Sequence, residues 1–168
     1  MGKRTAYLLV LDEREAILWV LLNEQMAFPA TPRREVSALR PGDELFLLTT
    51  RGAYHSPNRD RTRVIGTASV QSEVSQLDPQ VEIAGRTFAS GCRIKLQTLA
   101  PCRTGPDIGL LAPQIHALRG QKNWGQLLRR ALVPIDDSDV MLFSRELQDH
   151  IRPLDESLLT YSSSIKTP

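Results

Sequence analysis

The chain has 168 residues, 41% hydrophobic and 24% charged, which suits one domain that closes a single core without disulfides or a structural metal. No apolar run reaches the roughly 18 residues needed to cross a bilayer, and Met1 to Thr5 lead into a strand-like segment rather than a signal peptide's apolar core, so a cytoplasmic protein without a membrane partner is expected. Net charge is +2 but unevenly spread: residues 131–168 hold seven acids and three bases, leaving eighteen bases against twelve acids in residues 1–130. A basic body attracts phosphate backbones by steering and counterion release, although ordinary solvated surfaces carry similar excesses.

Tyr7-Leu8-Leu9-Val10-Leu11 has the length and composition of a strand, and Asp12 with Glu15 three positions on signals a helix that continues to about Gln25. Trp19 in that helix reads as core. Pro29 and Pro32 predict a loop from Met26 to Arg34, followed by a helical turn or extended stretch at 35–39. Arg40-Pro41-Gly42-Asp43 is a turn opening onto Glu44-Leu45-Phe46-Leu47-Leu48-Thr49-Thr50, a strand buried on both faces. Residues 51–63 carry Gly52, Pro57, Asn58 and five ionised side chains, and are expected as an exposed loop outside the core. Val64 to Val70 resumes strand composition, with Gly66 marking a bulge or a close backbone approach.

Ala84-Gly85 is a hairpin turn between 81–83 and 86–88, and Arg93 to Leu99 alternates polar and apolar as a half-exposed strand. Short connections make the sheet largely antiparallel. From Pro113 the pattern is helical, with Ile115 and Leu118 on one side and Gly120 as a stop. A second helix is expected from Asn123, with Trp124, Leu127, Leu128 and Ala131 on one face and Pro134 at its end. A last one starts near Asp136 to Asp139 and presents Val140, Phe143, Leu147 and Ile151. The fold class is therefore α+β: one domain over residues 1–160 with a flexible tail at 161–168.

The chemistry is that of binding. No phosphate loop, dinucleotide fingerprint or nucleophile elbow occurs, so the chain is not expected to be an enzyme. Cys92 and Cys102 lack zinc spacing, and His55, His116 and His150 are scattered, so neither metal nor cofactor is expected. Basic clusters recur beside turns: Arg33 and Arg34 with Arg40; Arg51 with Arg59, Arg61 and Arg63; and Arg119, Lys122, Arg129 and Arg130, with no acid among residues 119–130. Such arginines suit bidentate phosphate contacts, and Phe28, Tyr54 and Trp124 either stack on bases or anchor their own segments in the core.

Three matches, Pro41-Gly42-Asp43 before a strand, Val64-Ile65-Gly66 opening the next and Asp78-Pro79 after it, together with the order of elements from Tyr7 to Leu147, resemble the EVE family of the PUA-like superfamily. The resemblance implies a curved, barrel-like sheet with peripheral helices and a pocket for a flipped or modified base, without catalysis. It implies base contacts from Tyr7, Phe28, Thr49, Thr50, Arg51 and Tyr54. Phosphate contacts are expected from Arg33, Arg34, Arg59, Arg61, Arg63, Arg119 and Lys122, and the partner is DNA or RNA. The alternative is a protein-interaction or small-ligand module, or a homodimer, docking through the acidic C-terminal helix.

Overall fold

In the computed structural model residues 5–28, 34–120 and 122–166 are described. Strand β1 (Ala6–Leu11) leads into helix α1 (Arg14–Asn23), strand β2 (Gln25–Phe28), the single helical turn α2 (Arg34–Ser37) and strand β3 (Glu44–Thr49). β4 (Arg63–Val70), β5 (Ser75–Ile83) and β6 (Arg86–Leu99) follow, then α3 (Ile108–Leu111), two 3-10 turns at Ala112–Gln114 and His116–Leu118, and α4 (Trp124–Leu127). β7 (Leu132–Ile135), α5 (Asp137–Gln148) and α6 (Leu154–Lys166) complete the chain. No helix among the described residues is long and apolar enough to cross a membrane.

β1 and the Leu45–Leu48 stretch of β3 are continuously apolar because the sheet is covered on both faces. Tyr7, Leu9 and Leu11 with Leu45 and Leu47 enter one core, shared with α1 and Tyr161. Leu8 and Val10 with Phe46 and Leu48 enter the other, under α3, α5 and the 3-10 turns, where the Phe46 and Phe143 rings lie 5.6 Å apart. The amphipathic α5 thus turns Phe143 and Leu147 into this core.

β1 pairs parallel with β3, and the other named strand pairs are antiparallel, in the order β2-β6-β4-β3-β1-β7 with β5 also on β6. The curled α+β sheet expected from the sequence is therefore present. The Asp43 carboxylate holds the entry to β3 by accepting the Thr5 and Arg40 N–H groups at 3.1 and 2.9 Å. Gly66 sits where β4 bends between register irregularities against β3 and β6, and a Cβ there would lie 2.3 Å from the Thr98 carbonyl oxygen.

Four expectations are corrected. Met26 to Phe28 form β2 rather than a loop, because β6 supplies backbone partners at Cys92 and Ser90. The helices expected from Pro113 and Asn123 are only single turns, and Asn123 makes no side-chain cap. Leu132 to Ile135 form β7, in which Pro134 lies on the free edge instead of ending a helix. The tail expected from residue 161 continues α6 to Lys166, and Tyr161 is fully buried. There the Tyr161 hydroxyl donates to the Ala100 carbonyl at 2.8 Å, the Ser157 hydroxyl donates to Leu99 O at 2.8 Å, and the Thr160 hydroxyl accepts from Cys102 N–H.

Gly66→Ala is expected to destabilise by about 2–4 kcal/mol, and Tyr161→Ala by about 3–5 kcal/mol. Urea unfolding midpoints check both.

Candidate nucleic-acid interface

Among the described residues the sheet does not close, and β2 and β7, the two ends of the main strand order, flank a cavity of about 200 Å³. Ile94 N–H donates to Glu24 O at 2.9 Å, so by the two-residue period Met26 and Phe28 bond to β6 and the Ala27 N–H and C=O face the free edge. Val10 N–H donates to Ala131 O at 2.9 Å, which likewise turns the Leu132 main-chain groups away from β1. Ala27 and Leu132 both line the cavity.

The walls are apolar: Leu9 and Leu11 of β1, Trp19 and Val20 of α1, and Met26 and Phe28 of β2. The β5–β6 hairpin adds Ile83 and Phe88, and its turn holds positive φ at both Ala84 and Gly85. A smaller adjoining cavity lies between that hairpin and residues Asp12, Glu13 and Ala16. The charged lining of the main cavity is Asp12, Arg86, Arg129 and Arg130. The Arg86 guanidinium lies over the Phe88 ring, 5.7 Å from its centre.

Of the six residues expected at a base, only Phe28 lines this cavity, so it acts as both core anchor and cavity wall. Tyr7, Thr49 and Tyr54 are buried elsewhere, Thr50 is half-buried with its N–H donated to Leu11 O, and Arg51 is exposed. The expectation that residues 51–63 stay outside the core is corrected: Ala53, Tyr54, Asp60 and Thr62 are buried. Arg103 organises them, placing its guanidinium 2.8 Å from Asp60 and 4.8 Å from the centre of the Tyr54 ring.

Two arginines of that loop have partners in the 103–107 segment, Arg63 half-buried and Arg61 exposed. Arg63 donates to Gly105 O at 2.7 Å, and Arg61 lies 3.9 Å from the Asp107 carboxylate. Arg34, Arg59, Arg119 and Lys122 are exposed, and Arg33 lies outside the described residues. The loop reaches the cavity rim through His55, which contacts the Glu13 carboxylate at 3.0 Å.

The residues missed from sequence, Asp12, Arg86 and Phe88, sit at the start of a helix and beside a hairpin turn, positions that carry their own structural explanation. Arg129 and Arg130 did have a signal, the acid-free run 119–130 leading into an apolar strand.

The fold also gathers His116, Asp136 and Asp139, whose ligand-type atoms lie within 4.8 Å of one another. These groups have structural partners: Asp139 accepts the His116 and Ala117 N–H groups, and Asp136 caps α5. The Asp139 N–H and the His116 ring hold the Asp136 carboxyl below its usual range. Burial raises the phenols of Tyr54 and Tyr161 and pushes the Cys92 thiol up to about 11.

Two outcomes follow. At pH 8 a thiol reagent is expected to label half-buried Cys102 well before Cys92, which stays largely protonated until the protein unfolds. Arg103→Leu, which strands the Asp60 carboxylate without its cation, is expected to lower stability by about 3 kcal/mol in denaturant unfolding.

No protein-family model and no curated protein matches the chain. Solved structures do match in fold. A hypothetical protein from Leishmania major has a TM-score of 0.59 at 14% identity, over 88% of this chain and 96% of its own. Human THYN1 protein, solved with DNA containing 5-methylcytosine, has a TM-score of 0.54 at 12% identity, over 84% and 97%. The Mmi1 YTH domain, solved with RNA, has a TM-score of 0.59 at 12% identity, over 89% and 83%. These neighbours share the PUA-like fold, so the resemblance read from the sequence is upheld at the level of fold.

Proposed function

We propose that this chain is a non-catalytic nucleic-acid-binding module that takes one unstacked base of a strand into the cavity between β2 and β7. The observation that carries this reading is the composition of that cavity: Trp19, Phe28 and Phe88 in its apolar lining, with Arg86 and Arg129 also lining it. Aromatic faces accept any base, at about 1–3 kcal/mol per stacked base, while arginine forks hold phosphates in two-pronged contacts. Support comes from the two fold neighbours solved with methylated DNA and with RNA.

Phosphate binding centres on Arg86 and Arg129, which line the cavity, and Arg119 and Lys122 are exposed cations earlier in the same acid-free run as Arg129. Arg51, Arg59 and Arg61 are exposed on the 51–63 loop and offer a second basic surface outside the cavity lining, whereas Arg63 is held by Gly105 O.

Anisotropy titrations against single-stranded and duplex DNA and RNA, with and without 5-methylcytosine, at two salt concentrations, test the reading. Binding is expected to weaken steeply with salt, and Arg86→Ala with Arg129→Ala to reduce the salt slope by about 0.7 each on single strands. Phe88→Ala is expected to cost about 1–3 kcal/mol of binding. Absence of binding at low salt overturns the proposal.

A further inference from the structure

We infer that Asp12 selects the captured base, favouring one with an exocyclic amino group over uracil or thymine; this rests on the base-capture reading above. Asp12 follows β1 directly and lines both the main cavity and the smaller one beside the hairpin. It is the only acid lining the main cavity among the described residues, and its carboxylate has no hydrogen-bond or ion partner there. The other charged groups around the two cavities are Arg86, Arg129, Arg130 and Glu13, and Glu13 is engaged by His55.

A carboxylate beside a site for a polyanion repels phosphate, so on electrostatics alone it weakens binding. It gives something in return only when the ligand offers it a donor. An ionised carboxylate accepts hydrogen bonds and donates none. The amino groups of cytosine and adenine offer N–H donors, as cytosine N4 does to Asp and Glu in duplex readers, and guanine presents adjacent ring and amino N–H groups. Uracil and thymine place a carbonyl oxygen where cytosine carries its amine, so a carboxylate aligned with that position meets an acceptor, and their one N3–H donor lies between two carbonyls that repel it. Asp12 therefore acts through an attractive contact to amino-bearing bases and a repulsive one to the others.

The test uses the full chain and short single-stranded oligonucleotides identical except at one central position, which carries cytosine, adenine, guanine, uracil or no base. Wild type is expected to bind at least one amino-bearing strand about tenfold more tightly than the uracil strand. Asp12→Asn and Asp12→Ala are expected to narrow that ratio to about twofold while keeping the salt dependence set by the arginines. Equal wild-type binding to all four bases, each tighter than the abasic strand, overturns the Asp12 assignment alone, as does a ratio unchanged in both variants. Equal binding to abasic and base-bearing strands overturns the base-capture reading and this assignment together.

Discussion

The parallel pairing of β1 with β3, buried on both faces, is the constraint from which the rest of the architecture follows. Parallel neighbours cannot be joined by a tight turn, so the chain must leave the sheet and return through a crossover. Here the crossover contains α1, β2 and α2. Placing β2 inside it sends that strand to β6, at the far end of the sheet from β7, which lies beside β1. The curl then brings the two ends to opposite sides of one cavity instead of joining them by hydrogen bonds. Among the described residues, the candidate site is the place where the barrel stays open.

That origin explains the character of the site. Its walls continue the barrel core, which makes them apolar, and its sides are strand edges with main-chain groups turned toward open space. Charge enters where chain segments arrive from outside the sheet: Asp12 between β1 and α1, Arg86 at the hairpin, and Arg129 and Arg130 ahead of β7. An apolar slot with a few polar groups at its margins is the usual make-up of a small-ligand site, and the base-capture proposal rests on it.

The second face of the sheet has a different task. Phe46 against Phe143, the cap of α5 by Asp136, and the hold of Asp139 on the 3-10 turn at His116 fix α5 and that turn to the back of the sheet, while α6 packs on the first face beside α1. The arginines of the 51–63 loop belong partly to this structural framework, since Arg61 and Arg63 face the 103–107 segment. A dense run of basic residues is therefore not by itself a phosphate track, because carbonyls and carboxylates supplied from elsewhere in the fold engage some of its cations.

Sequence by itself determined the elements whose signals are local. The Pro-Gly-Asp turn into β3, the glycine bend in β4, the Ala84-Gly85 hairpin and the capped, amphipathic α5 all follow from backbone preference and side-chain period, and their order was enough to reach the PUA-like fold. Tertiary structure alone decided the rest, because the determining partner lies far along the chain. β2 is a strand only because β6 pairs with it some 65 residues later, and β7 is one only because β1 waits beside it. The serine-rich end of α6 is held because Ser157, Thr160 and Tyr161 satisfy backbone groups at Leu99 to Cys102. The cavity depends on all these long-range pairings together, so its lining of Asp12, Trp19, Phe28, Arg86 and Arg129 has no contiguous pattern that a reading along the chain could find.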